Sequence, residues 1–233
     1  MHRITNVFSY IIAFVLLMVI FLFILIQNLV GNQKLLDRPI KTIGRLIPGV
    51  FGIRVKVSYL CRPDPLKSYI FIANHINIFD GFILYGYISH FIRGVELDSH
   101  FKWPFWGSIV KKLGNIPISH NNTRSAMESL EKAEEAVRRG TSIVILPEGH
   151  RTRTGSLLPF HRGPFRIAKH SGADIVPIAL KGAWERKRVT SPFVKPGVVE
   201  LIFGKVISLE EHSQLSEKEL RDKAFRVISD LLQ

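Results

Sequence analysis

The chain has 233 residues, 46% of them hydrophobic, and its 32 Lys and Arg against 19 Asp and Glu leave a formal charge of +13. That length suits one domain with an appendage, and the single cysteine, Cys61, excludes a disulfide within the chain and fits a reducing compartment. So basic a protein binds nucleic acid or an anionic membrane surface; no zinc-finger spacing, helix-turn-helix pattern or RNA-recognition aromatic motif supports nucleic acid.

The N-terminal segment decides between the two. No charged residue occurs from Ile4 to Gln33, and Val7 to Ile26 (VFSYIIAFVLLMVIFLFILI) is almost purely apolar. About 20 apolar residues at roughly 1.5 Å each match the ~30 Å hydrocarbon layer of a bilayer. The run is too long for a cleaved signal peptide, and no small-x-small cleavage site follows it. A retained membrane helix is expected within residues 1–33, either transmembrane or monotopic. Arg3 precedes it, and Lys34, Arg38, Lys41 and Arg45 follow with only Asp37 opposing them, a positive-inside bias that places the rest of the chain in the cytoplasm. Residues 34–48 read as a basic juxtamembrane connector whose amphipathic part can lie on the membrane surface. Residues 49–233 read as the main domain.

In that domain Ile53–Tyr59 alternates apolar and polar, as a half-buried strand does, and Tyr69–Ala73 is a short apolar run expected to be a buried strand. Arg62–Pro65 is the turn between them. Asp80–Phe91 is expected to be a helix, Lys102–Gly107 a loop and Gly114–Ser119 a short strand. Thr123–Arg139 carries Met127, Leu130, Ala133 and Val137 at helical spacing and stops at Gly140. Ser142–Leu146 reads as a buried strand, Phe165–Ser171 as a helix, and Asp174–Leu180 and Val198–Phe203 as strands. Ser216-Glu217-Lys218-Glu219 is a capping box that opens a last helix. Strands and helices alternate, which predicts an α/β fold: a mixed, mostly parallel sheet flanked by helices, behind an N-terminal membrane helix.

Two strand ends carry polar clusters: Asn74-His75-Ile76-Asn77-Ile78-Phe79-Asp80 and Pro147-Glu148-Gly149-His150-Arg151. In open α/β sheets, sites form where strands run out into loops. His75 has the chemistry of a general base, because imidazole titrates near neutral pH, and Asp80 could fix its tautomer if a turn brings the two together. The competing reading is a structural histidine with Asp80 as a helix N-cap. Arg151, Arg153, Arg162 and Lys169 could receive an anionic group; the competing reading is a solvated basic face. There is no G-x-S-x-G elbow, no H-E-x-x-H and no second cysteine for a zinc site.

Together these residues resemble the glycerolipid acyltransferases, most closely the lysophosphatidic acid acyltransferase (PlsC-like) group. Asn74-His75-x4-Asp80 is similar to that family's first motif, and Leu146-Pro147-Glu148-Gly149-His150-Arg151 to its F-P-E-G-[TS]-R. Leu157–Phe165 is similar to L-P-F-K-x-G-A-F, and Val176-Pro177-Ile178 to V-P-[IV]. Trp103–Gly107 and Gly114–Ile118 resemble the segments between. The match runs in order from about Tyr69 to Leu180.

The resemblance implies transfer of an acyl group from a thioester, acyl-CoA or acyl carrier protein, to a lyso-lipid hydroxyl. His75 would be the base and Asp80 its orienting partner. Asn74, Glu148, Gly149, Arg151, His120 and Arg162 would belong to the substrate-binding set, with Glu148, Gly149 and Arg151 on the acceptor's glycerol-phosphate part. It implies no acyl-enzyme, no metal and no cofactor beyond the donor co-substrate, and membrane phospholipids rather than nucleic acid as partners. The aromatic stretch from Phe79 to Trp106 either dips into the membrane interface and forms an acyl tunnel or fills the core.

Three positions depart from the pattern. His120 ends Gly114-Asn115-Ile116-Pro117-Ile118-Ser119-His120 where the family usually has arginine, His150 stands where it has a small hydroxyl residue, and His161 where it has lysine. Histidine is neither permanently charged nor forked, so these changes open the acceptor to other lyso-lipids, lyso-ornithine lipid among them, or to glycerol phosphate. Outside enzymes, the alternative is a lipid-binding membrane protein that keeps the fold without activity.

Overall fold

The computed structural model describes residues 2–119 and 123–233, with side chains from 6 to 119 and from 127 to 233. His120 therefore lies outside the described residues. A seven-stranded sheet in the order β1-β7-β6-β2-β5-β3-β4 forms the centre. The strands are β1 (Ile53–Tyr59), β2 (Tyr69–Ala73), β3 (Ile92–Leu97), β4 (Ile116–Ile118), β5 (Ser142–Ile145), β6 (Asp174–Lys181) and β7 (Gly197–Phe203). Neighbours are parallel except β6 and β7, so the expected mixed, mostly parallel sheet is what the chain builds.

The helices are α1 (His2–Leu29), α2 (Asp37–Val50), α3 (Asp80–Tyr87), α4 (Trp106–Leu113), α5 (Thr123–Arg138), α6 (Gly163–Ser171), α7 (Ala183–Arg186), α8 (Leu209–Ser213) and α9 (Glu217–Leu232). They cover both faces. Alternation along β2 sends Phe71 and Ala73 into a core shared with Ile24 of α1, Ile40 and Ile47 of α2 and Ile83 of α3. Ile70 and Ile72 enter the opposite core, with Ala133 of α5, Phe165 of α6 and Leu220, Ala224 and Ile228 of α9. The capping box at Ser216 and Glu219 is present.

Several elements differ from the sequence reading. The expected helix Asp80–Phe91 stops at Tyr87, because Ile88 is already extended (φ −73°, ψ 120°), and the chain re-enters the sheet as β3. A run apolar throughout has no period that separates helix from strand. The expected loop at 102–107 holds the start of α4, whose Gly107 packs so closely on the Phe101 carbonyl that a side chain would collide. Met127 is half exposed rather than on the buried face of α5.

The segment read as a connector, 34–48, is largely α2. This helix buries Ile40, Lys41, Gly44, Ile47 and Pro48, and Lys41 donates to the His90 carbonyl (2.5 Å) and pairs with Asp37 (3.0 Å). α1 is, among the described residues, the one helix long and apolar enough to cross a membrane. It does not stand clear of the domain. Near its start Asn6 exchanges bonds with the Val194 main chain (Nδ2 to O 3.3 Å, N to Oδ1 2.9 Å) and Ser9 donates to the Val50 carbonyl (3.0 Å). Near its end Asn28 donates to the Lys112 carbonyl (2.9 Å). From Asn6 to Asn28 is about 33 Å of helix, so α1 lies along the domain with Val7, Ile11, Phe14, Val15, Leu22 and Ile26 facing outward.

Candidate active site

The parallel register of β2 and β5 sets up the site. Ile70 lies beside Ile143 and Ile72 beside Ile145, so continuing both strands brings His75 level with Glu148. The two polar clusters therefore leave the same edge of the sheet next to each other.

The His75 main chain is held from both sides. Its N–H donates to Glu148 Oε1 (2.5 Å), and its carbonyl accepts from the Thr152 N–H (3.0 Å). Glu148, only 3% exposed, also accepts from the Leu158 N–H through Oε2 (2.7 Å). One carboxylate thus ties three segments: the turn after β2, the turn after β5 and the loop that follows. Gly149 takes φ 70°, a left-handed conformation in which a side chain is strained, and this lets the chain turn away directly after Glu148.

The turn from His75 to Asp80 closes on one oxygen. Asp80 Oδ2 meets His75 Nδ1 at 2.7 Å and accepts from the N–H groups of Ile76 (2.6 Å) and Asn77 (2.9 Å). Asp80 is fully buried and is the first residue of α3, but its side chain caps no helical N–H. It reaches back over the turn instead, which is how a spacing of five produces contact. A carboxylate only accepts, so Nδ1 carries the proton and Nε2 is left with its lone pair. Among the described residues Nε2 has no hydrogen-bond partner, and the His75 side chain is 22% exposed.

The other predicted residues fall into distinct places. Asn74 is fully buried, and its amide bonds the Leu180 main chain at both ends (Oδ1 from N 2.7 Å, Nδ2 to O 3.3 Å). It straps β2 to β6, and the same residue lines a cavity shared with Ile76, Leu157 and Trp184. Arg151 is half buried next to Thr152, while Arg162 and Arg153 are exposed. No three His, Cys, Asp or Glu side chains gather as a metal would require among the described residues. Of the aromatic stretch, Phe79 is in the core, Trp103 is exposed, and Phe105 packs on Phe21 of α1 (5.2 Å between ring centroids).

Sequence reasoning missed Asn77. Its Nδ2 donates to the carbonyls of Ala183 (3.0 Å) and Lys187 (3.1 Å), and its Oδ1 accepts from the Phe79 N–H (2.9 Å). An asparagine inside a turn reads as turn chemistry, and nothing local points to partners a hundred residues away.

Burial pushes the Glu148 carboxyl up to about 7, although the His75 and Leu158 N–H groups pull the other way. Folding therefore favours its protonated form over the unfolded value of 4.5. Its contribution to stability is complete below that unfolded value and is lost as the pH rises through about 7. Denaturant unfolding from pH 4.5 to 7.5 is expected to show this loss in the wild type and a flatter profile in Glu148→Gln; parallel profiles would show that Glu148 does not titrate there.

A family model described as Acyltransferase matches residues 54–181, which include every element of this site from His75 to Arg162. The chain belongs to this acyltransferase family. The resemblance seen in the motifs is thus borne out. Among relatives of the acyltransferase, the 1-acyl-sn-glycerol-3-phosphate acyltransferase of Escherichia coli is 34% identical over 142 residues, 59% of this chain and 56% of its own length. That of Limnanthes douglasii is 30% identical over 148 residues, 62% of this chain and 52% of its own. The chain thus spans about half the length of these relatives. A probable 1-acyl-sn-glycerol-3-phosphate acyltransferase of Mycoplasma pneumoniae is 24% identical over 95% of this chain and 91% of its own. The crystal structure of the 1-acyl-sn-glycerophosphate (LPA) acyltransferase PlsC from Thermotoga maritima superposes with a TM-score of 0.81 over 99% of this chain and 94% of that one. At 21% identity it shows that the acyltransferase shares this fold.

Proposed function

We propose that this acyltransferase moves a fatty acyl group from a soluble thioester, acyl-CoA or acyl carrier protein, to the free hydroxyl of lysophosphatidic acid, giving phosphatidic acid. The observation that carries the reading is the His75–Asp80 contact with Nε2 unpartnered among the described residues. The names of the relatives supply the acceptor.

His75 Nε2 takes the proton of the acceptor hydroxyl as that oxygen attacks the thioester carbonyl. Asp80 steadies the imidazolium that forms. The tetrahedral intermediate expels the thiolate, which recovers the proton from Nε2 and leaves as the thiol. The new ester bond forms as the thioester bond breaks, and no acyl-enzyme intervenes. Arg151 receives the acceptor phosphate through charge-assisted bonds. Glu148 acts indirectly: it fixes the His75 main chain rather than holding substrate.

A place at the membrane is part of the same reading. The bonds from both ends of α1 to the domain support a helix that lies within one leaflet with its outward apolar face in lipid. The basic residues after it meet anionic headgroups on the cytoplasmic side. Acceptor in the bilayer and donor in the cytoplasm then meet at one site. His120 in place of arginine favours, as a second reading, a lyso-lipid with a larger head group.

Membranes carrying the protein, supplied with long-chain acyl-CoA or acyl carrier protein and a panel of lyso-lipids, are expected to acylate lysophosphatidic acid fastest. A preference for another acceptor would replace the first reading with the second. No product with any pair would overturn both.

A further inference from the structure

After β6 the chain turns at Gly182 (φ 80°) through α7 and reaches Lys187 as extended backbone (φ −150°). This turn lies outside the matched 54–181 segment. Asn77 pins it to the loop that carries His75, through the Ala183 and Lys187 carbonyls. From the other side, the Thr152 N–H bond to the His75 carbonyl sets Arg151 against the same loop. Residues 151 and 187 are thus each held one step from the catalytic turn.

Lys187 is 7% exposed, which is unusual for a lysine. Its Nζ donates to the carbonyls of Arg188 (2.9 Å) and Ser191, both neutral acceptors, and its third N–H is uncommitted among the described residues. Neither Lys187 nor Arg151 forms an ion pair among the described residues. Burial, and after it the Arg151 charge, pushes the Lys187 ammonium below its ordinary value. A buried cation that no carboxylate pairs among the described residues, and on which the charge of Arg151 also acts, is unfavourable until an anion arrives.

We infer that Lys187 is a second cation of the acceptor-phosphate subsite, beside Arg151, and that it biases the protein towards a phosphomonoester over a phosphodiester head group. The inference rests on the acyl-transfer reading above. A phosphomonoester carries about −1.5 to −2 charges near neutral pH and three acceptor oxygens. A phosphodiester carries one charge and cannot reward a second cation as much. Arginine offers a planar fork and lysine a point charge, so the two together hold a terminal phosphate without competing for one geometry. The phosphates of an acyl-CoA donor share this chemistry and must be told apart from those of the acceptor.

The test uses the full chain, with Lys187→Met and Lys187→Arg, and measures KM separately for lysophosphatidic acid, for a phosphodiester lyso-lipid and for the acyl donor. Lys187→Met is expected to raise KM for lysophosphatidic acid by about 10–100-fold, with the phosphodiester and donor values unchanged, and Lys187→Arg to recover most of the loss. Equal losses on both acceptors, or a fall in kcat alone, would mean that Lys187 only holds its turn and would overturn the inference. A rise in donor KM would overturn it by assigning the charge to the donor. Should the wild type acylate no lysophosphatidic acid, the reading beneath fails by itself. Inorganic phosphate then decides: a thermal shift by phosphate in wild type that Lys187→Met abolishes supports the anion site, and an equal shift in both ends it.

Discussion

Replacing His75 by alanine is expected to lower acyl transfer by at least about 10²–10⁴-fold while the protein still melts near the wild-type temperature. The first half follows from the open Nε2, the one atom of the His75–Asp80 pair in a position to receive a hydroxyl proton. The second follows from where the imidazole sits. Its side chain is 22% exposed, so truncation leaves no sealed cavity. The turn keeps its main-chain support, because Glu148 and Thr152 grip the His75 backbone rather than its ring. Initial rates in membranes, normalised to protein amount, and a thermal melt check the two halves separately. Substantial residual activity in a folded variant would remove His75 as the base.

Asp80→Ala is expected to fail in both respects. Three donors converge on Oδ2, and two are main-chain N–H groups of the nearly buried Ile76 and Asn77. Stranding a buried donor costs about 1–3 kcal/mol, so losing both should destabilise the protein by about 2–6 kcal/mol. Activity should fall with it, since nothing then orients the imidazole. Asp80→Asn separates the two effects. The amide oxygen can still accept from Ile76 and Asn77, so stability should recover in large part. Yet an amide cannot stabilise an imidazolium as a carboxylate does, and turned the other way it would donate to Nδ1 and leave the proton on Nε2. Asp80→Asn should therefore be folded and nearly inactive. Wild-type turnover in Asp80→Asn would show that the aspartate organises the turn and does nothing more.

Acceptor choice connects these residues to the rest of the site. The turn bearing His75 is tied to Glu148 on one side and, through Asn77, to the turn bearing Lys187 on the other. The proposed base and the proposed anion-binding groups are thus held to one loop, and a change in either tether should move both. For this reason KM and kcat need to be read separately in every variant.

The local pattern by itself determined much of this protein. An uncharged run long enough for a bilayer, the period-two β1, the buried β2 and β5 and the capping box of α9 were all legible, because each is a relation among residues within a few positions of one another. So were His75, Asp80 and the Glu148-Gly149 turn as polar clusters at strand ends. What only the tertiary structure decided depends on distant pairings. The β2–β5 register sets Glu148 against the His75 N–H and makes it a brace. The β2–β6 pairing puts the Asn74 amide on Leu180 and makes it a strap. Asn77 finds the carbonyls of the turn after β6, and Lys187 becomes a buried cation there. α2 is a packed helix rather than a connector because α1 and α3 offer it apolar partners that its own basic composition does not reveal. A side chain's hydrogen-bonding capacity is written in its residue type; which partner fills it is settled only when the sheet brings separate strand ends to one edge.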